Sequence, residues 1–170
     1  MLSRRIFNMT LPGIAILGGS PSYAETFDPP AGDPILTISG RISRTNSGDR
    51  AMFDRDMLEA LGVTSFKTNT PWYSSVVTFE GVKMTTLMDR VQAKGELLMV
   101  TALNDYTSDI PIEDFVRYEP ILALKRDGKY MAISDKGPLF IVYPYDKVPE
   151  LRSQRFYSRS AWQIARMEVR

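Results

Sequence analysis

The chain has 170 residues, with 21 Lys and Arg against 20 Asp and Glu, a formal net charge of +1, and neither cysteine nor histidine. So even a balance offers no basic field for nucleic acid or an anionic membrane surface. Composition alone also removes a thiolate nucleophile, a Ser-His-Asp triad and a zinc site built from Cys and His.

Residues 1–24 read as an export signal. Arg4 and Arg5 precede a modest apolar stretch from Ile14 to Leu17, and Ser22-Tyr23-Ala24 supplies the small residues of a signal-peptidase site. The arginine pair followed by Phe7 also matches a twin-arginine signal, and ordinary Sec signals begin with basic residues too, so the route stays open. A membrane anchor needs about 20 apolar residues, whereas Asn8, Thr10, Pro12 and Gly18-Gly19 interrupt this one. The expected mature unit is therefore a single domain over residues 25–170, periplasmic and not inserted in the membrane, with a net charge of about −1. An exported domain without cysteine relies on its core, since no disulfide is available.

Along the mature unit, Leu36, Ile38, Gly40 and Ile42 alternate with Thr37, Ser39 and Arg41, the period of a half-buried strand. Phe53, Met57, Leu58 and Leu61 share a helical face, with Asp54 as N-cap and Gly62 as stop. Val76 to Phe79 predicts a short strand, and Met84, Leu87, Met88 and Val91 predict a helix ending by Gly95. Leu97 to Leu103 is a continuous apolar run, expected to be a strand covered on both faces. Within Pro120 to Ile133, Asp127-Gly128 separates two apolar runs and predicts a type I′ hairpin. Leu139 to Tyr143 predicts another strand, and Ala165, Met167 and Val169 alternate with charged residues in a final one. The fold class is α+β, a mixed sheet arrangement with short helices.

Chemistry concentrates in loops. Asp105, Asp109, Glu113 and Asp114 lack the spacing of a calcium loop, and no glycine-rich phosphate loop occurs. Three segments stand out: Lys67 to Ser74 (KTNTPWYS) between a helix and a strand, Asn104-Asp105-Tyr106 after the apolar run, and Ser158-Arg159-Ser160 with Trp162 opening the last strand. Together they offer planar rings, a guanidinium, carboxylates and amides, which suits a flat polar heterocycle. Each also has a plainer reading. Trp72 and Trp162 can be packing residues, Asn104-Asp105-Tyr106 an ordinary turn, and Arg159 a surface ion-pair partner.

The segments Asp135 to Asp146 (DKGPLFIVYPYD) and Phe156 to Val169 (FYSRSAWQIARMEV) resemble the molybdopterin-binding domain of the sulfite oxidase family. The order of further features agrees: Gly40 in a strand, the loop with Trp72, Phe79-Glu80-Gly81-Val82 before a short helix, Ala102 to Tyr106, the Lys125 to Lys129 hairpin, and Arg159 to Gln163. In enzymes of that family a cysteine thiolate ligates molybdenum about ten residues before the segment matching Phe79 to Val82. Here Asn69-Thr70-Pro71-Trp72 occupies that region, and none of these can supply a soft thiolate. The resemblance is closer to exported pterin-binding proteins of the PruR type, which are not enzymes, bind a metal-free pterin without molybdenum, and regulate a membrane-bound cyclic di-GMP synthase/phosphodiesterase through its periplasmic region. It implies that Trp72, Tyr106 and Trp162 contact or border the pterin ring and that Asp105, beside Asn104, accepts from its amino-pyrimidinone edge. Arg159 and Ser160 would meet its carbonyl or tail, and Asn69 and Thr70 would fill the space left by the metal ligand. Two other readings compete: a molybdopterin oxidoreductase with an atypical ligand set, and an assembly subunit that carries no ligand.

Overall fold

The computed structural model describes residues 25–170, so the export signal expected over 1–24 lies outside the described residues. Four strands open the unit: β1 (Glu25–Thr26), β2 (Leu36–Gly40), β3 (Arg44–Thr45) and β4 (Ala51–Phe53). β2 buries Leu36 and Ile38 and leaves Thr37 and Ser39 half-buried, the expected alternation. α1 (Arg55–Ala60) begins where Asp54 accepts hydrogen bonds from Met57 N and Gly32 N, each at 2.8 Å. Those amide donors, Gly32 first, hold the Asp54 carboxyl below the usual carboxylate range. The helix stops ahead of Gly62, as its sequence position suggested.

β5 (Val63–Thr68) is an element that periodicity did not reveal. It lies at the edge of its sheet, and most of its side chains are exposed or half-buried, so it carries no apolar alternation to read. β6 (Val77–Lys83) runs beyond the strand expected at Val76 to Phe79 and leads into α2 (Met84–Arg90), which buries Met84, Leu87 and Met88. Each such fully buried side chain contributes about 1.5–3 kcal/mol.

β7 (Leu97–Ala102) corrects the sequence expectation in part. Leu98, Val100, Thr101 and Ala102 are buried, but Leu97 and Met99 are only half-buried and Leu103 is 50% exposed. An antiparallel neighbour on each side leaves part of one face solvated, unlike a strand buried in a parallel sheet. β8 (Thr107–Pro111) and α3 (Glu113–Tyr118) follow. β9 (Ile121–Arg126) and β10 (Lys129–Tyr130) form the expected hairpin, with Asp127 at φ 49° and Gly128 at φ 78°. Both central residues thus take the left-handed region that a type I′ turn requires.

β11 (Phe140–Val142) precedes α4 (Gln154–Arg159), a helix where the sequence suggested a loop opening the last strand. Six residues with one buried apolar side chain, Phe156, carry too little periodicity to announce it. β12 (Ile164–Val169) ends the chain, with one further correction: its pairing shifts between Ile164 and Arg166, so Ile164 rather than Ala165 enters the core. An irregularity in the ladder re-aims side chains in this way.

The strands form a sheet ordered β4-β2-β12-β7-β8, a second ordered β10-β9-β6-β5 with β11 also on β9, and a small parallel β1-β3 pair. β2 and β12 are parallel, and the other pairs of the first sheet are antiparallel. The core includes Phe53, Phe79, Phe115, Phe140, Tyr143 and Tyr145. A bridge between Phe140 and Trp162, with Ile141 N donating to Ala161 O at 2.9 Å, ties the segment before β12 to the second sheet. This tie positions the site. Among the described residues no helix is long and apolar enough to cross a membrane.

Candidate functional site

A cleft of about 420 Å³ opens where three segments meet. The loop after β5 contributes Pro71 and Trp72, the end of β7 and its turn contribute Ala102, Asn104 and Tyr106, and α4 with the residues beyond it contributes Gln154, Tyr157, Ser158, Ser160, Ala161 and Trp162. No charged side chain is among them.

Trp72 is the aromatic centre. Its ring meets Phe140, Tyr145, Tyr157 and Trp162 edge-on, with centroids 5.4, 6.2, 5.8 and 5.6 Å away. Edge-to-face pairs of this kind add about 0.5–1.5 kcal/mol each beyond their buried area. The ring is therefore both a packing residue and a cleft wall, which joins the two readings its sequence position allowed.

The loop that carries Trp72 is anchored at its start. The Asp146 carboxylate accepts from Asn69 N at 2.7 Å, from Asn69 Nδ2 at 2.9 Å and from an Arg152 guanidinium nitrogen at 2.6 Å. The Asn69 amide, with Arg152 and the Asn69 side chain behind it, holds the Asp146 carboxyl below the usual range. Thr70 Oγ1 accepts from Trp72 N at 3.3 Å. Asn69 and Thr70, which the resemblance placed in the metal ligand's space, are not among the lining residues and serve the loop itself.

In the turn after β7, Asn104 Oδ1 accepts from Tyr106 N at 3.2 Å, which leaves the amide nitrogen as its donor. Tyr106 is 53% exposed at the mouth. Asp105 departs from its expected role. At φ 62° it sits at the left-handed apex of the turn, and its 84% exposed side chain pairs with Arg166 at 2.8 Å, outside the cleft.

α4 explains the second departure. Gln154, Tyr157 and Ser158 follow i, i+3, i+4 spacing and line the cleft together. Phe156 and Arg159, three residues apart, share another face, and Ser160 is the C-cap beyond the helix. Arg159 accordingly turns inward, where a guanidinium nitrogen lies 2.6 Å from Asp114 Oδ2, with side-chain exposures of 13% and 4%. Tyr143 Oη donates to the same oxygen at 2.9 Å. Burial first, then the Asp114 charge, drive the Tyr143 phenol far above its ordinary pKa, so it remains a donor. Arg159 therefore has no place in the cleft.

Ser160 lines the cleft, but its hydroxyl is engaged: it donates to Phe156 O at 2.8 Å and shares a short hydrogen bond with the buried Tyr145 hydroxyl. Burial raises the Tyr145 pKa, so that phenol stays protonated. Of the nine residues singled out in sequence, the cleft brings together Trp72, Asn104, Tyr106, Ser160 and Trp162, and leaves out Asn69, Thr70, Asp105 and Arg159. Gln154, Tyr157 and Ser158 were missed, because their common face exists only once α4 is known.

No group of three or more His, Cys, Asp or Glu residues that could hold a metal ion converges among the described residues. A search of curated proteins gives no match to the chain. The family model described as oxidoreductase molybdopterin binding domain matches residues 48–146, a span that includes the Trp72 loop and the Asn104 to Tyr106 turn and stops before α4.

Proposed function

The chain belongs to the oxidoreductase molybdopterin binding domain family, and from that premise we propose that it binds a metal-free pterin in this cleft and senses it without catalysing a reaction. One observation carries the reading: the concave site is lined by aromatic rings, amides and hydroxyls with no charged side chain. A flat heterocycle packs against such rings, and Asn104 and Gln154 provide amides for its donor and acceptor edge.

The family's metal does not fit the donors this chain offers. Molybdenum in these enzymes takes a soft thiolate, and the sequence contains no cysteine. Where the resemblance puts that ligand, Asn69 is tied to Asp146 and Thr70 to the Trp72 amide. These residues support a ligand held by stacking and hydrogen bonds alone.

In this reading the protein works in the periplasm, where pterin occupancy alters its contact with the periplasmic region of a membrane-bound cyclic di-GMP synthase/phosphodiesterase. Support for this half comes from the resemblance to exported pterin binders and from the signal-like residues 1–24. Signalling requires the pterin to bind the partner-bound and partner-free states with different affinity.

The test is metal analysis of protein purified from the exported fraction, together with the mass of any fluorescent molecule it releases. A stoichiometric pterin without molybdenum is the expected result. One molybdenum per chain would replace the reading with an oxidoreductase, and an empty protein that ignores added pterins would leave an assembly subunit.

A further inference from the structure

We propose that Lys136 makes the cleft selective for a heterocycle bearing an anionic substituent, such as a carboxylate, close to its ring; the inference rests on the pterin reading above. The cleft lining itself is uncharged. Of the cations near it, Arg159 is committed to Asp114, Arg166 to Asp105 and Arg126 to Asp135, while Arg155 lies over the Phe156 ring. Lys136 differs. Its Nζ lies 4.7 Å from the ring centroid of Trp162, a cleft wall, and 5.7 Å from that of Tyr73, and among the described residues it has no carboxylate within ion-pairing distance.

The neighbouring acid cannot serve it. Asp135 is held by Arg126 at 2.8 Å and by the Tyr73 hydroxyl at 3.2 Å. The backbone fixes the lysine where it is: Lys136 has φ 63°, and its carbonyl accepts from Gln163 N at 3.2 Å. The following Gly137 would place a Cβ 1.9 Å from Met131 O, so only glycine fits there. The indole attracts the ammonium through its quadrupole and uses none of its three N–H donors. A ligand ring packed at Trp162 therefore meets an uncharged lining with the Lys136 ammonium beside one wall, and a short anionic substituent on that ring neutralises it.

Fluorescence titration of the protein with pterin-6-carboxylate and with neutral 6-hydroxymethylpterin tests this in wild type, Lys136→Met and Lys136→Arg. Wild type should bind the carboxylate roughly tenfold tighter, the scale of one charge-assisted hydrogen bond. Lys136→Met should weaken the carboxylate alone and abolish the preference, while Lys136→Arg should keep it. Equal affinities in wild type would overturn the proposal, as would a Lys136→Met variant that weakens both pterins by the same factor, since the lysine would then only prop Trp162. If wild type binds neither pterin, the pterin reading itself fails and this inference with it; if it binds both equally, only the inference fails.

Discussion

Arg159→Met removes the cation from the most deeply buried ion pair described and so separates a structural role from a ligand role for this residue. Methionine retains an apolar side chain beside Phe156, whose ring centroid lies 5.4 Å from the Arg159 guanidinium carbon. The Asp114 carboxylate, 4% exposed, then keeps Tyr143 Oη at 2.9 Å as its hydrogen-bond donor and loses its counter-charge at 2.6 Å. Removing one partner of such a pair costs about 3–5 kcal/mol. The surviving tyrosine bond places the expectation at the lower end, about 3 kcal/mol, or a fall in Tm of roughly 6–12 °C for a domain of this size. Urea unfolding followed by tryptophan fluorescence at pH 7 measures the loss. The double variant Arg159→Met/Asp114→Leu should recover only part of it, because the unpaired charge is gone but the buried Tyr143 hydroxyl loses its acceptor. Well below the Tm, pterin affinity should change by less than about threefold, since Arg159 faces away from the cleft. A stability change under about 1 kcal/mol, accompanied by a loss of pterin binding, would refute the burial argument and return Arg159 to the ligand.

Asp146→Asn should loosen the Trp72 loop and flatten the acid limb of the stability profile. The folded-state pKa of Asp146 is depressed, chiefly by the Asn69 amide, so its stabilisation is complete above a pH of about 4 and is lost as pH falls through the lowered value. Urea midpoints between pH 5 and pH 2 should therefore fall less steeply in the variant, and parallel profiles would refute the clamp. Gly81→Ala would set a Cβ 2.0 Å from Leu122 O, where β6 approaches β9. Backbone cannot yield there, so a loss of about 3 kcal/mol is expected in a circular dichroism melt. Asp105→Ala should leave pterin affinity within about twofold and stability within about 0.5 kcal/mol, as for other exposed pairs; a tenfold loss in titration would restore Asp105 to the ring.

Much of the fold is local enough to be legible. Asp54, Gly62 and Asp127-Gly128 act on their own backbone, and the alternation around Leu36 and the helical stripe from Met84 to Val91 each describe one face of one element. The motif order sufficed for the family as well. β5 and α4 were illegible for the opposite reason: one is a largely exposed edge strand and the other a six-residue helix with one buried apolar residue. That second omission misplaced Arg159 and hid Gln154, Tyr157 and Ser158. Along the chain, Ser158, Arg159 and Ser160 are neighbours and seemed to serve one purpose; wound into α4 and its end, Arg159 goes to Asp114 and Ser158 to the cleft.

The sequence by itself determined the α+β class, the absence of a thiolate or imidazole, and the aromatic and amide residues available to a heterocycle. These follow from composition and from interactions spanning a few residues. Only the tertiary structure decided which of those residues share a cleft, because that depends on contacts between distant segments: Trp72 against Trp162, Asn69 against Asp146, Arg159 against Asp114. A side chain's direction is set by the element that carries it and its partner by the packing of that element, and neither is encoded in the spacing of the residue itself.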